Sequence, residues 1–213
     1  MVAKRVKLMT GKKRIIIIIL IGILLGSAIR IYIVNTGVER QKKEYFKVNE
    51  TVEFADDFSN NSDYIIDGYT VKVIDSWIFT ATEFYKKYNL ITEDETLSED
   101  TQVKYYYVVK ALFTNESNQS VGEKGIDLSN ILLVGTDYNI NIGSMVYGLI
   151  NPKMPEGLGF SLREGTSAEV LLPYPVIPEN IAANKKAAYE KLNKRTPCLQ
   201  ITSYPTKKLI ETK

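Results

Sequence analysis

The stretch "VKYYYVVKALFTN", Val103 to Asn115, decides the fold. Val103, Tyr105, Tyr107, Val109, Ala111 and Phe113 recur at every second position, while Lys104, Tyr106, Lys110 and Thr114 fall between them. A period of two puts the first set on one face of a strand and the second on the other. β-Branched and aromatic side chains fit such a pleated, half-buried surface. The spacing therefore predicts a long half-buried strand. Tyr106 is the aromatic on its more polar face, and an exposed aromatic there favours a binding surface.

The pattern continues on both sides. "NESNQS", beginning at Asn115, turns the chain, because Asn and Ser side chains bond to nearby backbone. Upstream, "GYTVKVIDSWIFTA" reads as a second long strand with Val71, Val73, Trp77 and Phe79 on one side and Asp75-Ser76 as the place for a bulge or bend. "IDLSNILLVGTDYNINIG" gives two short strands about a Gly-Thr-Asp turn, and "SAEVLLPYPV" and "CLQITSYPTKKLIE" supply closing strands. Two segments read as helices. "ATEFYKKYNL" makes about two turns; "PENIAANKKAAYEKLNKR" places Ile181, Ala188 and Leu192 on one side of a helix over 181–195, stopped by Pro197. The expected fold class is all-β, an antiparallel β-sandwich of seven or eight strands with one or two short helical insertions.

Three of these runs carry a resemblance. "YYYVVKALFTNESNQS", "IDLSNILLVGTDYNINI" and "REGTSAEVLLPYPV" resemble successive strands of the telokin-like, immunoprotective-extracellular group of immunoglobulin-like domains on Gram-positive surface proteins and lipoproteins. The likeness runs over residues 50–213. Glu164-Gly165 stands where that family has Pro-Gly, and the 181–195 helix is additional. The resemblance implies an immunoglobulin-like sandwich at a bacterial surface and no catalytic residues.

The other strong signal is "KKRIIIIILIGILLGSAIRIYIV", Lys12 to Val34. Ile15 to Val34 as a helix spans roughly 30 Å, the thickness of a hydrocarbon core. Lipid forces helix on this isoleucine-rich run, since a lone strand would leave its backbone unpaired there. Arg30, near the outer end, reaches the headgroups with its long side chain. Lys4, Arg5, Lys7, Lys12, Lys13 and Arg14 precede the span, and no acid lies in the first 34 residues. The positive-inside rule then sets the amino terminus in the cytoplasm. The expected plan is a basic tail at 1–14, a transmembrane helix at 15–34, a stalk at 35–49 and an extracellular domain at 50–213. The competing reading is a signal peptide cut at "GSA", Gly26 to Ala28. "IRIYIV" keeps the chain apolar past that cut and favours the uncleaved anchor. Gly22 and Gly26 have the spacing that lets two membrane helices approach, a weak pointer to a homodimer.

Composition narrows the function. Seven of the 27 basic residues lie in the first 34, leaving 20 against 25 acidic residues beyond them. With no basic stripe there, nucleic acid is not an expected partner. There is no histidine, which removes the commonest general base and zinc ligand. Cys198 stands alone, and its place beside Pro197 at the start of an apolar strand suggests a buried, inert thiol. The richness in Ile, Lys, Asn and Tyr suggests a low-GC Gram-positive bacterium.

Candidate chemistry is thin. Glu93, Asp94, Glu95, Glu99 and Asp100 gather in one loop, but without the alternating ligands that wrap a Ca²⁺ ion, so a solvated loop is expected. Asp56-Asp57 and Asp67 are expected in solvated turns rather than as a carboxylate pair. No S-x-x-K motif or nucleophile elbow is present. No catalytic, cofactor or metal residue is assigned. The expected function is a non-enzymatic interaction or accessory domain of the cell envelope, contacting another envelope protein; the alternative is a module that binds wall glycan through Trp77 and some of the 14 tyrosines.

Overall fold

The structure is a computed structural model, and it describes residues 11–37, 41–58, 66–91, 102–119, 125–194 and 196–213. The chain divides into two compact units, 1–40 and 41–213. The first is a single α-helix, α1, Gly11–Gly37. Its stretch Ile15–Thr36 is long and apolar enough to cross a membrane. Its apolar side chains are exposed all round, with Ile18 and Leu24 each 68% open. A helix apolar on every side, with no core of its own, is what a bilayer accommodates. Thr36 near its end satisfies its hydroxyl locally by donating to the Tyr32 carbonyl at 2.8 Å.

The second unit begins with β1 (Lys42–Phe46), β2 (Thr51–Glu53) and β3 (Tyr69–Thr80), followed by α2 (Ala81–Lys87) and β4 (Tyr105–Asn115). Short pieces come next: β5 (Ile126–Asp127), β6 (Leu132–Val134), β7 (Asn139–Ile140), α3 (Ser144–Ile150) and β8 (Gly159–Phe160). β9 (Ser167–Val176), α4 (Lys185–Lys194), β10 (Cys198–Gln200) and β11 (Thr206–Glu211) close the domain. The strands form a four-stranded sheet, β2-β3-β4-β9, a five-stranded sheet, β1-β11-β10-β6-β7, and the ribbon β5-β8.

One apolar core joins the sheets. Val71, Val73, Tyr107, Val109, Phe113, Leu172 and Tyr174 of the four-stranded sheet cluster with Leu133, Leu199 and Ile210 of the five-stranded one. Shared burial between two sheets is compatible with a β-sandwich. Each large apolar side chain so buried stabilises the domain by about 1.5–3 kcal/mol. As its alternation predicts, β4 sends Tyr107, Val109, Ala111 and Phe113 into this core. Val103 is an exception, packing instead against a second cluster on the sheet's other side.

That second cluster revises the half-buried expectation. Tyr106 and Val108 are also buried, under α2 and α3, so the first half of β4 is covered on both faces. The pairing of β3 with β4 explains the arrangement. Val73 sits opposite Ala111 and Asp75 opposite Lys110, leaving Ile74 with no opposite residue. This bulge reverses the parity of the strand beyond it. Trp77 and Phe79 therefore lie on the face opposite Val71 and Val73, not with them, and Ser76 turns inward instead. Asp75 accepts the Ser76 N–H at 2.7 Å. Ser76 donates its hydroxyl to the Thr212 carbonyl at 2.6 Å, and the Tyr107 hydroxyl lies 2.8 Å from Thr212 Oγ1.

Three further expectations change. The 35–49 stalk is not a stalk throughout, because Lys42–Phe46 pairs in parallel with β11, Tyr45 opposite Leu209. A partner at the far end of the chain leaves no local trace, and the parallel pair departs from a purely antiparallel sandwich. The helix expected over 181–195 starts at Lys185, after a short turn of 3₁₀ helix at Pro178–Asn180. Asn184 accepts the Ala187 N–H at 2.9 Å, the cap that sets this later start. Ile181, Ala188 and Leu192 still all reach the core. Finally, α3 has no counterpart among the expected elements.

Turn chemistry follows the sequence more closely. Asn115 Oδ1 accepts the Asn118 N–H at 2.7 Å, and Asn118 Nδ2 donates to the Asp67 carbonyl at 2.6 Å. Gly68 sits in this corner at φ +80°, with Ser117 Oγ and the Asn118 backbone too close for any Cβ.

Asp57 is buried rather than solvated. Its Oδ2 lies 2.7 Å from Lys208 Nζ, with both side chains about nine-tenths buried. Lys208 also donates to the carbonyls of Glu53 and Phe54, at 2.8 and 3.0 Å, and Asp57 Oδ1 accepts the Thr206 N–H at 2.8 Å. This network fastens β11 to the segment that follows β2. Asp56 beside it is exposed, as is Asp67.

Two outcomes are expected. Asp57→Ala leaves an uncompensated buried ammonium and costs about 3–5 kcal/mol, part of it recovered by adding Lys208→Met, as read by urea unfolding. Burial pushes the Tyr138 and Tyr147 phenols up to about 12 and raises those of Tyr107 and Tyr174 as well. Stability from keeping these phenols neutral is fully present below their ordinary pKa of about 10 and lost as pH rises through the folded values. Unfolding and phenolate absorbance should therefore rise together in that alkaline window.

Candidate functional site: an aromatic groove on the four-stranded sheet

The bulge at Ile74 turns Trp77 and Phe79 onto the outer face of the four-stranded sheet. There they border a groove of about 560 Å³. Tyr88, just past α2, and Ile150 of α3 form its sides, and Leu171 of β9 lies between. Trp77, Phe79 and Tyr88 are each half-buried, their rings neither sealed in the core nor free in solvent. The Phe79 and Tyr88 rings meet edge to face at 6.5 Å between centroids.

The wall that carries Tyr88 is fixed locally. Thr80 caps α2 by accepting the Glu83 N–H at 3.2 Å, and Glu83 Oε2 accepts the Thr80 N–H at 2.8 Å. This reciprocal cap follows from Thr and Glu three residues apart. Phe84 then anchors the helix. It is fully buried and stacks on Tyr106 at 3.9 Å and 16°. Tyr106, whose exposure would have favoured a binding surface, is only 5% exposed and serves as the footing of α2. Burial pushes its phenol up, with its hydroxyl 3.4 Å from that of Tyr85.

Polar groups complete the groove. Lys110 Nζ meets Glu169 Oε1 at 2.7 Å, a pair partly open to solvent. Lys87 adds a second cation. Asn151 also lines the groove, but its amide is engaged. Its Nδ2 donates to the Leu171 carbonyl at 2.8 Å and its Oδ1 accepts the Leu171 N–H at 2.9 Å. The side chain imitates the next strand and closes the outer edge of β9 at that point. Further along, the Pro173 carbonyl accepts the Gly143 N–H at 2.8 Å, and Pro173 and Pro175 have no N–H to offer. A strand with its edge so occupied is poorly suited to pairing with another chain.

The remaining sequence candidates do not converge here. Cys198 opens β10 as expected but is partly exposed, and burial first, then Glu211, raises its thiol pKa, which disfavours the reactive thiolate. The acidic loop with Glu93, Asp94, Glu95, Glu99 and Asp100 lies outside the described residues. Among the described residues, no group of three or more His, Cys, Asp or Glu is placed to hold a metal ion. Sequence reading missed the contribution of Tyr88 and of α3. Val146, Tyr147 and Ile150 have helical spacing in "SMVYGLI", but a seven-residue run interrupted by Gly148 is a weak signal.

Residues 43–208 match the family described as a domain of unknown function, DUF5028. The chain belongs to that family. The match opens in β1 and ends in β11, so the DUF5028 domain reaches into both strands of the parallel pair and takes in residues 43–49 of the segment expected as a stalk. No curated protein and no solved structure matches the chain.

Truncating the anchor of the wall tests this account of the groove. Phe84→Ala is expected to cost about 3–5 kcal/mol. It should also shift the emission of Trp77, the sole tryptophan, to the red as α2 loosens, read by fluorescence of the folded variant.

Proposed function

We propose that the protein is a non-catalytic binding module held at the cell membrane, and that the groove takes a glycan chain of the envelope. The carrying observation is the row of half-buried rings, Trp77, Phe79 and Tyr88, beside the Lys110–Glu169 pair. Sugars offer apolar faces for aromatic rings and hydroxyls for charged partners, and grooves of this size with few placed polar groups are typical ligand sites. The reading places α1 across the membrane as an uncleaved single-pass anchor, amino terminus inside, with the DUF5028 domain outside. The six basic residues that precede the span support that orientation. It also keeps the Gram-positive, immunoglobulin-like assignment that the strand motifs suggest. Absence of histidine from the chain and the raised thiol pKa of Cys198 support a binding role over catalysis.

An envelope protein is the second reading, favoured by one observation. Met145 and Leu149 sit one turn apart on α3 and are 83% and 56% exposed. The blocked edge of β9 favours a contact through that helix face rather than by strand addition.

The test titrates the full-length protein in neutral detergent with soluble wall oligosaccharides while following Trp77 emission. A saturable shift is expected, and Trp77→Ala should lower affinity, measured by calorimetry, about tenfold or more. No saturable signal, together with crosslinked capture of one envelope protein that Met145→Ser/Leu149→Ser abolishes, would replace the glycan reading with the protein one.

A further inference from the structure

A second cavity, of about 440 Å³, lies on the outer face of the five-stranded sheet, away from the aromatic groove. Lys43 of β1 and Lys207 of β11 line it and face one another across the parallel ladder. Adjacent strands are about 4.8 Å apart, so two like charges stand side by side, an arrangement that is unfavourable by itself. Among the described residues, neither ammonium has a carboxylate within ion-pair distance. Lys42, by contrast, pairs with Glu44 on the opposite face at 2.6 Å. Burial first, and then the charge of Lys43, lowers the pKa of Lys207.

The rest of the lining mixes polar groups with apolar ones such as Val134 and Leu209. Lys191 reaches the cavity while bonded to Asp137 at 2.7 Å. Thr136 and Thr196 bring hydroxyls. Tyr138 lines the cavity too, but its hydroxyl is buried away from solvent. Glu211 is the other carboxylate nearby, acting on the Cys198 thiol.

We propose that this cavity is an anion site that holds a phosphate group, with Lys43 and Lys207 as its charges and Thr136 and Thr196 as further donors. One bound phosphate neutralises the facing ammonium pair. It also offers more acceptor oxygens than a carboxylate. The phosphate is either free in solution or the headgroup of an anionic lipid. β1 opens five residues after α1 ends in the chain, which makes the headgroup a source to test. The site is independent of the aromatic groove, and either proposal can fail alone.

The experiment is a short pulse of amine acetylation on the full-length protein, read residue by residue by mass spectrometry, with exposed Lys153 as internal reference. In neutral detergent, Lys43 and Lys207 labelling should fall about threefold when phosphate is about twice its Kd, relative to chloride at equal ionic strength. Lys153 should be unchanged. In nanodiscs, protection with phosphatidylglycerol but not with phosphatidylcholine alone identifies a headgroup as the source. Equal labelling in phosphate and chloride, with no difference between the two nanodiscs, overturns the proposal. A folded Lys43→Gln/Lys207→Gln variant should lose the rise in Tm that phosphate gives the parent. Keeping the full rise would overturn the proposal too.

Discussion

The extra residue in β3 organises most of what is distinctive in this domain. A regular strand would carry Val71, Val73, Asp75, Trp77 and Phe79 on one face, forcing a carboxylate into the core beside two large aromatics. The bulge at Ile74 removes that conflict. Asp75 turns outward and bonds the backbone of its neighbour, Ser76 turns inward to meet Thr212, and the aromatics pass to the far side. The first half of β3 thus serves the core between the sheets, and the second half serves the surface beneath α2 and α3.

A sheet covered on one side by a second sheet and on the other by two short helices needs apolar residues on both faces of its central strand. β4 meets that need where the helices lie, with Tyr106 and Val108, and returns to Lys110 and Thr114 where they do not. The groove arises at this transition. Half-buried aromatics stand next to a solvent-facing ion pair because cover by the helices ends there. The same boundary places Asn151 against β9, sealing an edge that would otherwise invite pairing.

A buried ion pair adds to the apolar contacts that hold the five-stranded sheet. Lys208 and Asp57 are partners across the domain, and each also bonds backbone groups. Neighbouring Lys207 points the other way by the alternation of the strand and meets Lys43, with no such compensation. Two consecutive lysines in β11 thereby have opposite fates, one built into the structure and one presented at a cavity. The bounds of the DUF5028 match, which include both β1 and β11, treat this closure as part of the domain.

Local pattern was enough for several elements. The apolar run Ile15–Val34, charged only at Arg30, specified a membrane-length helix, and alternation specified β4 and its inward residues from Tyr107 to Phe113. "ATEFYKKYNL" read as the short helix α2, and "NESNQS" marked the turn after β4. Each depends on residues within a few positions of one another. Other features depend on partners far away in the chain. β1 is a strand because β11 lies beside it, Asp57 is buried because Lys208 arrives from near the end of the chain, and Tyr106 is covered because Phe84 folds back over it. The parity of Trp77 and Phe79 belongs to this second group: Asp75-Ser76 hinted at irregularity, but only pairing with β4 fixes which residue is extra. The sequence by itself thus determined the membrane-length apolar helix and the alternating strands, because periodicity and turn chemistry act over short range. Tertiary structure alone decided which faces are covered, and with them the groove and the cavity, because burial is a property of contacts between distant segments.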